Sequence, residues 1–146
     1  MHREMRSLNQ SQVANIMSKT YSGPFLMLRE VFLLNHLGKP SASATMHISD
    51  SNPFMQWHPH AFPGVMLIEM AQQLGFIIAY DMKITGRPFM SRVEFKMKKS
   101  VHNGDTVVAF TKLINHKRGF YFFESDIKKS DGTMIAELSF QGLSIP

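Results

Sequence analysis

The sequence predicts an α+β architecture: a curled, mostly antiparallel sheet wrapped around one long central helix. Three observations carry this. Residues Pro63 to Tyr80 form one long helical stretch that is apolar nearly all round, so it must be covered on several sides. Two strand-like segments precede it. A meander of about four more follows, separated by turn signals, and a single curled sheet can supply the cover.

The elements follow in order. Residues 1–10 are polar and basic and read as a loose N-terminal segment. Gln10 to Ser18 is a short helix with Val13, Ile16 and Met17 on one side, and Gly23-Pro24 punctuates it. Phe25 to Leu34 reads as an apolar strand, closed by a turn at Asn35 to Gly38, and Ser41 to Ile48 pairs back on it. Asp50 to Phe62 holds Pro53 and Pro59 and is expected to be non-helical. The 18 residues Pro63–Tyr80 reach about 27 Å as a helix. Beyond Gly86-Arg87-Pro88, Val93, Phe95 and Met97 alternate with Arg92, Glu94, Lys96 and Lys98, the two-residue period of a strand with one buried face. Thr106 to Ile114 is apolar on both faces, as a central strand is. Turns are expected at Asn103-Gly104-Asp105, at His116 to Gly119 and at Asp131-Gly132, the last a strong hairpin signal. Phe120 to Ile127 and Thr133 to Gly142 complete the strands. No repeat or internal boundary is visible, so residues 1–146 are read as one domain.

Composition narrows the function classes. Hydrophobic residues at 44% and charged residues at 18% describe a chain that folds around a core. The absence of cysteine excludes a disulfide scaffold, a thiolate nucleophile and a cysteine metal site, and fits a reducing, cytoplasmic setting. No secretory signal is seen at Met1 to Gln10. Glu69, Gln72 and Gln73 interrupt the apolar helix, which argues against a membrane span. The net charge of +5 is spread over Lys96 to Lys99, Lys117-Arg118 and Lys128-Lys129, and it suits an acidic partner without choosing one.

The stretch from His58 to Gln73 carries the chemistry. Two histidines, His58 and His60, precede the Pro63-Gly64 turn into the long helix, and Glu69 stands within that helix. A base and an acid are thereby offered near a helix N-terminus, where backbone N–H groups polarise a carbonyl. That combination suits proton chemistry beside a thioester or ester. Glu69, Gln72 and Gln73 share one helix face. A carboxylate in so apolar a helix is costly to bury without a task. The other five histidines, His102 among them, are scattered over turns and strands with no metal-ligand spacing. Met66, Met70, Met90 and Met97, with Phe76, Phe89, Phe95 and Phe110, either line an acyl tunnel or simply fill the core. Arg118 to Phe123 partly matches an RNA-recognition pattern. Tyr121 stands where that pattern needs a small residue, so no nucleic-acid partner is expected.

Several segments together resemble one family. Gly23-Pro24-Phe25-Leu26-Met27-Leu28-Arg29-Glu30-Val31 matches its opening. Asn52-Pro53-Phe54-Met55-Gln56-Trp57-His58 resembles the approach to its catalytic histidine. Pro63-Gly64-Val65-Met66-Leu67-Ile68-Glu69-Met70-Ala71-Gln72 is close to its helix start. Arg92-Val93-Glu94-Phe95, Val101-His102-Asn103-Gly104-Asp105, Asp131-Gly132 and Ala136-Glu137 follow in its order. On these residues the chain resembles the 3-hydroxyacyl-[acyl-carrier-protein] dehydratases of type II fatty acid synthesis, which have the hot-dog fold. Where the family normally carries His-Phe-Pro-Gly-x-Pro-x-x-Pro-Gly, only four residues separate His58 from Pro63-Gly64, and Trp57 replaces a small residue. The shortened form is similar to hot-dog enzymes of butyrolactone-signal biosynthesis.

The resemblance implies His58 as the base, with His60 as the alternative, and Glu69 as the acid. It implies a homodimer, or a higher homo-oligomer, in which each site takes its histidine from one subunit and its glutamate from the other. Gly64 and Val65 would offer their N–H groups to the thioester oxygen. Phe62, Met66 and Gln73 would complete the substrate site. The family implies no cofactor and no metal, with an acyl carrier protein bearing the acyl-phosphopantetheine substrate as the partner. A hot-dog thioesterase or acyl-transfer enzyme, with Glu69 activating water, and a non-catalytic acyl-binding subunit remain alternative readings.

Overall fold

A computed structural model describes residues 5–17, 28–57, 60–84 and 87–145. Within them the chain runs β1 (Met5–Leu8), α1 (Gln10–Met17), β2 (Val31–His36), β3 (Lys39–His47), α2 (Pro53–Trp57), α3 (Gly64–Asp81), β4 (Arg87–Met97), β5 (Thr106–Lys117), β6 (Phe120–Lys129) and β7 (Met134–Ile145). The seven strands form one antiparallel sheet in the order β1-β2-β3-β5-β6-β7-β4. Helix α3 lies across the face of this sheet, chiefly over β3 and β5. This is the hot-dog arrangement, and β5 is its central strand, as its apolar residues require.

Local chemistry explains the elements. Asn9 and Gln12 form a reciprocal cap: each side-chain oxygen accepts the other's backbone N–H at 2.9 Å, which starts α1. Two hairpins turn on two residues at positive φ, Leu37-Gly38 and Arg118-Gly119. That is the turn geometry that matches the twist of paired strands. Both strands before these turns therefore run further than expected, to His36 and Lys117. At the third hairpin Asp131 accepts the Thr133 N–H at 2.9 Å, and Gly132 takes φ +94°.

Three expectations are corrected. The N-terminal segment is not loose from Met5 onward: Met5–Leu8 pairs with Val31–Leu34 as an edge strand, and Arg6 bonds Asp81 at the end of α3 at 2.6 Å. The Asp50–Phe62 stretch is not wholly irregular. Asn52 caps Phe54 through its side chain at 2.9 Å, and Pro53 takes the first helical position, where its missing N–H costs nothing. The strands after α3 are not a simple meander. The 18-residue α3 carries the chain to the far edge, so β4 pairs with β7 and not with β5. Residues 98–105 then return it to the centre. The expected strand start at Phe25 lies outside the described residues, as does the Gly23-Pro24 punctuation.

The core sits between α3 and the inner sheet face. Along β5 the odd-numbered residues from Val107 to Leu113 are buried, and along β6 so are Tyr121, Phe123, Ser125 and Ile127. Phe110 points the other way and meets His36 edge-on on the outer face, so it neither fills the core nor lines a tunnel against α3. On β4, Val93 and Phe95 pack on the core, whereas Met97, expected on the same buried face, is exposed. Gly75 lets α3 approach the stacked rings of Phe123 and Phe140, whose centroids are 4.9 Å apart.

Candidate active site

Helix α3 builds the site because its sequence leaves one stripe less covered than the rest. Met66, Leu67, Met70, Ala71, Leu74, Ile77 and Ile78 are buried. Val65 and Tyr80 are exposed, and Ile68, Glu69, Gln72, Phe76 and Ala79 are partly so. These recur at helical spacing and form one face. Glu69 thus stands half-buried on the open face of an otherwise apolar helix. Gln73, one turn on and 0% exposed, donates its side-chain N–H to Glu69 Oε1 at 3.2 Å. The amide orients the carboxyl and leaves its other oxygen for other contacts.

The helix start is ready for an oxygen ligand. Pro63 occupies the N-cap position in extended conformation and makes no side-chain cap hydrogen bond, and no acidic residue lies in the first turn. Gly64 is half-buried beside Phe95 and Met97 of β4. The first-turn N–H groups lie at the positive end of the helix.

The loop into the helix is pinned by two hydrogen bonds. Phe62 N–H donates to the Val101 carbonyl at 2.7 Å. The His60 carbonyl lies 2.7 Å from His102 Nδ1. Phe62, 2% exposed, plugs into the core edge-on to Phe54. It is thus an anchor of the loop in the single chain.

The expected site residues divide as follows. Gly64, Val65, Met66, Glu69 and Gln73 fall on α3, with Glu69 and Gln73 directly bonded, Val65 exposed and Met66 buried. His60 is exposed on the loop before α3. His58 lies outside the described residues. Among the described residues no group of three or more His, Asp or Glu is arranged to hold a metal ion. Sequence reasoning passed over His102. Its signal in the sequence is the Val101-to-Asp105 turn, which holds it.

Comparison with known proteins supplies the context. No protein-family model matches the chain. It is 30% identical over 123 residues to a 3-hydroxyacyl-[acyl-carrier-protein] dehydratase FabZ from Methylobacterium nodulans, covering 78% of this chain and 76% of the relative. It is 31% identical over 135 residues to the same enzyme from Thermotoga neapolitana, covering 89% and 93%. Among solved structures, the dehydratase heterocomplex ApeI:P from Xenorhabdus doucetiae superposes with a TM-score of 0.68 at 16% identity, over 86% of this chain and 87% of that one. A hypothetical thioesterase from Streptococcus pneumoniae, solved with coenzyme A, superposes with a TM-score of 0.61 at 11% identity, over 72% and 78%. The two structures establish the fold, which hosts more than one chemistry. No helix of the described residues is long and apolar enough to cross a membrane. The sequence likeness goes further than the fold: this chain belongs to the 3-hydroxyacyl-[acyl-carrier-protein] dehydratase FabZ family.

Proposed function

We propose that the chain removes water from 3-hydroxyacyl thioesters carried on an acyl carrier protein, giving trans-2-enoyl thioesters for fatty acid or related assembly in the cytoplasm. The observation that carries this reading is the Glu69–Gln73 pair: a carboxyl on the open face of an apolar helix, oriented by a fully buried amide. A histidine base, His58 or His60, takes the proton from C2. The electron pair of that C–H bond forms the C2–C3 double bond as the C3–O bond breaks, and Glu69 gives its proton to the departing hydroxyl, which leaves as water. The N–H groups of Gly64 and Val65 hold the negative charge that grows on the thioester oxygen. A glycine at the first position allows that oxygen close to the backbone. The open stripe on α3 supports a homodimer that covers it.

The test supplies a 3-hydroxyacyl carrier protein and follows the conjugated enoyl product. Intact chain should form it, and Glu69→Gln should lose about 10²- to 10⁴-fold in rate. Absence of product from intact chain, or an unchanged rate in Glu69→Gln, overturns the reading. The structural likeness to a thioesterase solved with coenzyme A favours a second reading, in which Glu69 activates water. Release of free thiol from a saturated acyl thioester, lost in Glu69→Gln, would support it.

A further inference from the structure

We propose that His102 is a positioning residue for this site, its imidazole holding by a single N–H the loop 60–63 that leads into α3. A carbonyl oxygen only accepts hydrogen bonds, so the 2.7 Å contact to the His60 carbonyl requires a proton on Nδ1, in the neutral ring and in the imidazolium alike. The tether joins segments 42 positions apart in the chain.

The other end of the tether is fixed. The His102 backbone N–H donates to Asp105 Oδ2 at 2.9 Å, and the Asp105 N–H returns to the His102 carbonyl at 3.1 Å. Lys129 Nζ of β6 lies 3.4 Å from the same carboxylate oxygen. The turn is also bonded to the end of β3: Gly104 N–H donates to the Ile48 carbonyl at 2.7 Å, and Ile48 N–H donates to the Asp105 carbonyl at 2.8 Å. His102 therefore projects from a turn held by two strands. With the neighbouring Phe62-to-Val101 bond, it ties two backbone groups of the loop to two consecutive residues of that turn.

The consequence is chemical. Fixing the His60 carbonyl sets the peptide that follows it and so the entry into Pro63-Gly64, whose amides the proposed mechanism uses. It also fixes the backbone of His60, one of the two candidate bases. The effect on catalysis rests on the dehydration reading; the tether does not.

Two substitutions in the full chain separate these. His102→Leu removes the donor. His102→Asn places an amide N–H near the position of Nδ1 and keeps it. With 3-hydroxyacyl carrier protein as substrate, His102→Leu should lower kcat by about ten- to a hundredfold, the scale of a small misplacement of reacting groups. KM should change little, and His102→Asn should recover most of the loss. Amide hydrogen exchange at Phe62 should accelerate in His102→Leu and stay near the original rate in His102→Asn. Wild-type kcat in His102→Leu, or an Asn variant as impaired as the Leu variant, overturns the proposal. Should the original chain show no water loss, the dehydration reading falls by itself. The exchange at Phe62 then decides the tether alone, and an unchanged rate in His102→Leu refutes it. If His102→Leu fails to fold, His102→Ala, which also lacks the donor, takes its place in both measurements.

Discussion

Replacing Gly75 by alanine sets helix propensity against packing. In a helix interior alanine is worth about 1 kcal/mol over glycine. An added Cβ at position 75 would stand 3.1 Å from Cε2 and 3.2 Å from Cζ of Phe140, and 3.5 Å from Cε1 of Phe123. Relaxed carbon contacts lie at about 3.5–4.0 Å, so the Phe140 ring would have to retreat by a few tenths of an ångström. It has little room to do so. It is 6% exposed, lies nearly parallel to Phe123 with an interplanar angle of 15°, and sits on β7 between two paired strands. Overpacking of this kind costs about 1–3 kcal/mol. The net expectation for Gly75→Ala is a destabilisation of about 1 kcal/mol and a fall in Tm of a few degrees. Thermal and urea unfolding by circular dichroism, at one fixed protein concentration, measures it. In a Phe140→Leu background the clash is relieved, and the same substitution should become neutral or stabilising. A raised Tm for the single variant, or an equal cost in both backgrounds, refutes the argument.

Other expectations follow from buried and exposed hydrogen bonds. The Ser125 hydroxyl donates to the Phe110 carbonyl at 3.0 Å, so across the 2.9 Å contact it accepts from Thr111; Ser125→Ala strands the fully buried Thr111 hydroxyl and should cost about 1–3 kcal/mol, more than Thr111→Val, in urea unfolding. Gln73→Leu should leave the fold intact and lower kcat more than it raises KM, because it removes the donor to Glu69; equal kcat in both proteins would refute an orienting role. The side-chain hydrogen bond from Thr133, then the backbone N–H of the same residue, hold the Asp131 carboxyl below its ordinary range. A depressed folded-state pKa stabilises above the ordinary aspartate pKa, and this stabilisation fades as pH falls through the depressed value. The urea midpoint of the original chain should therefore exceed that of Asp131→Ala at neutral pH and converge on it in acid, whereas a gap independent of pH would contradict this.

How much of this was legible in the sequence depends on whether a signal is local. The hairpin at Asp131-Gly132, the strand alternation at Val93 and Phe95 and the boundaries of α3 are set by neighbours in the chain, and each could be read there. Helix α2 is also locally encoded, by Asn52 as cap and Pro53 at the first position, because a proline there starts a helix and breaks one only further in. The partner of β4 was not legible, because nothing in Arg87–Met97 says whether the chain has crossed the sheet; the length of α3 decides that. Of the eight residues assigned to the site, five (Gly64, Val65, Met66, Glu69 and Gln73) come from one stretch with helical spacing, so their shared element was readable. The His102 tether was not, since it depends on two loops meeting from opposite sides of α3 in the sequence.

The open stripe on α3 leads to one more test. Glu69 shares its face with Val65, which is 66% exposed on the single chain, and with the partly open Ile68, Gln72 and Phe76. A helix so apolar gains by covering that face, and a two-fold symmetric partner covers it with the same surface twice. The reading proposed here places the base of one subunit opposite Glu69 of the other. Two inactive variants, His58→Ala and Glu69→Ala, should then complement when their subunits are exchanged by co-expression. Random pairing makes about half of the dimers mixed, each with one doubly altered site and one intact site, so activity should return to about a quarter of the original. If base and acid belong to the same chain, every site in every mixed dimer lacks one of them, and no activity returns. Running His60→Ala beside His58→Ala identifies the base, because only the variant that is inactive alone can be rescued. Failure of both pairings in confirmed mixed dimers refutes the shared site.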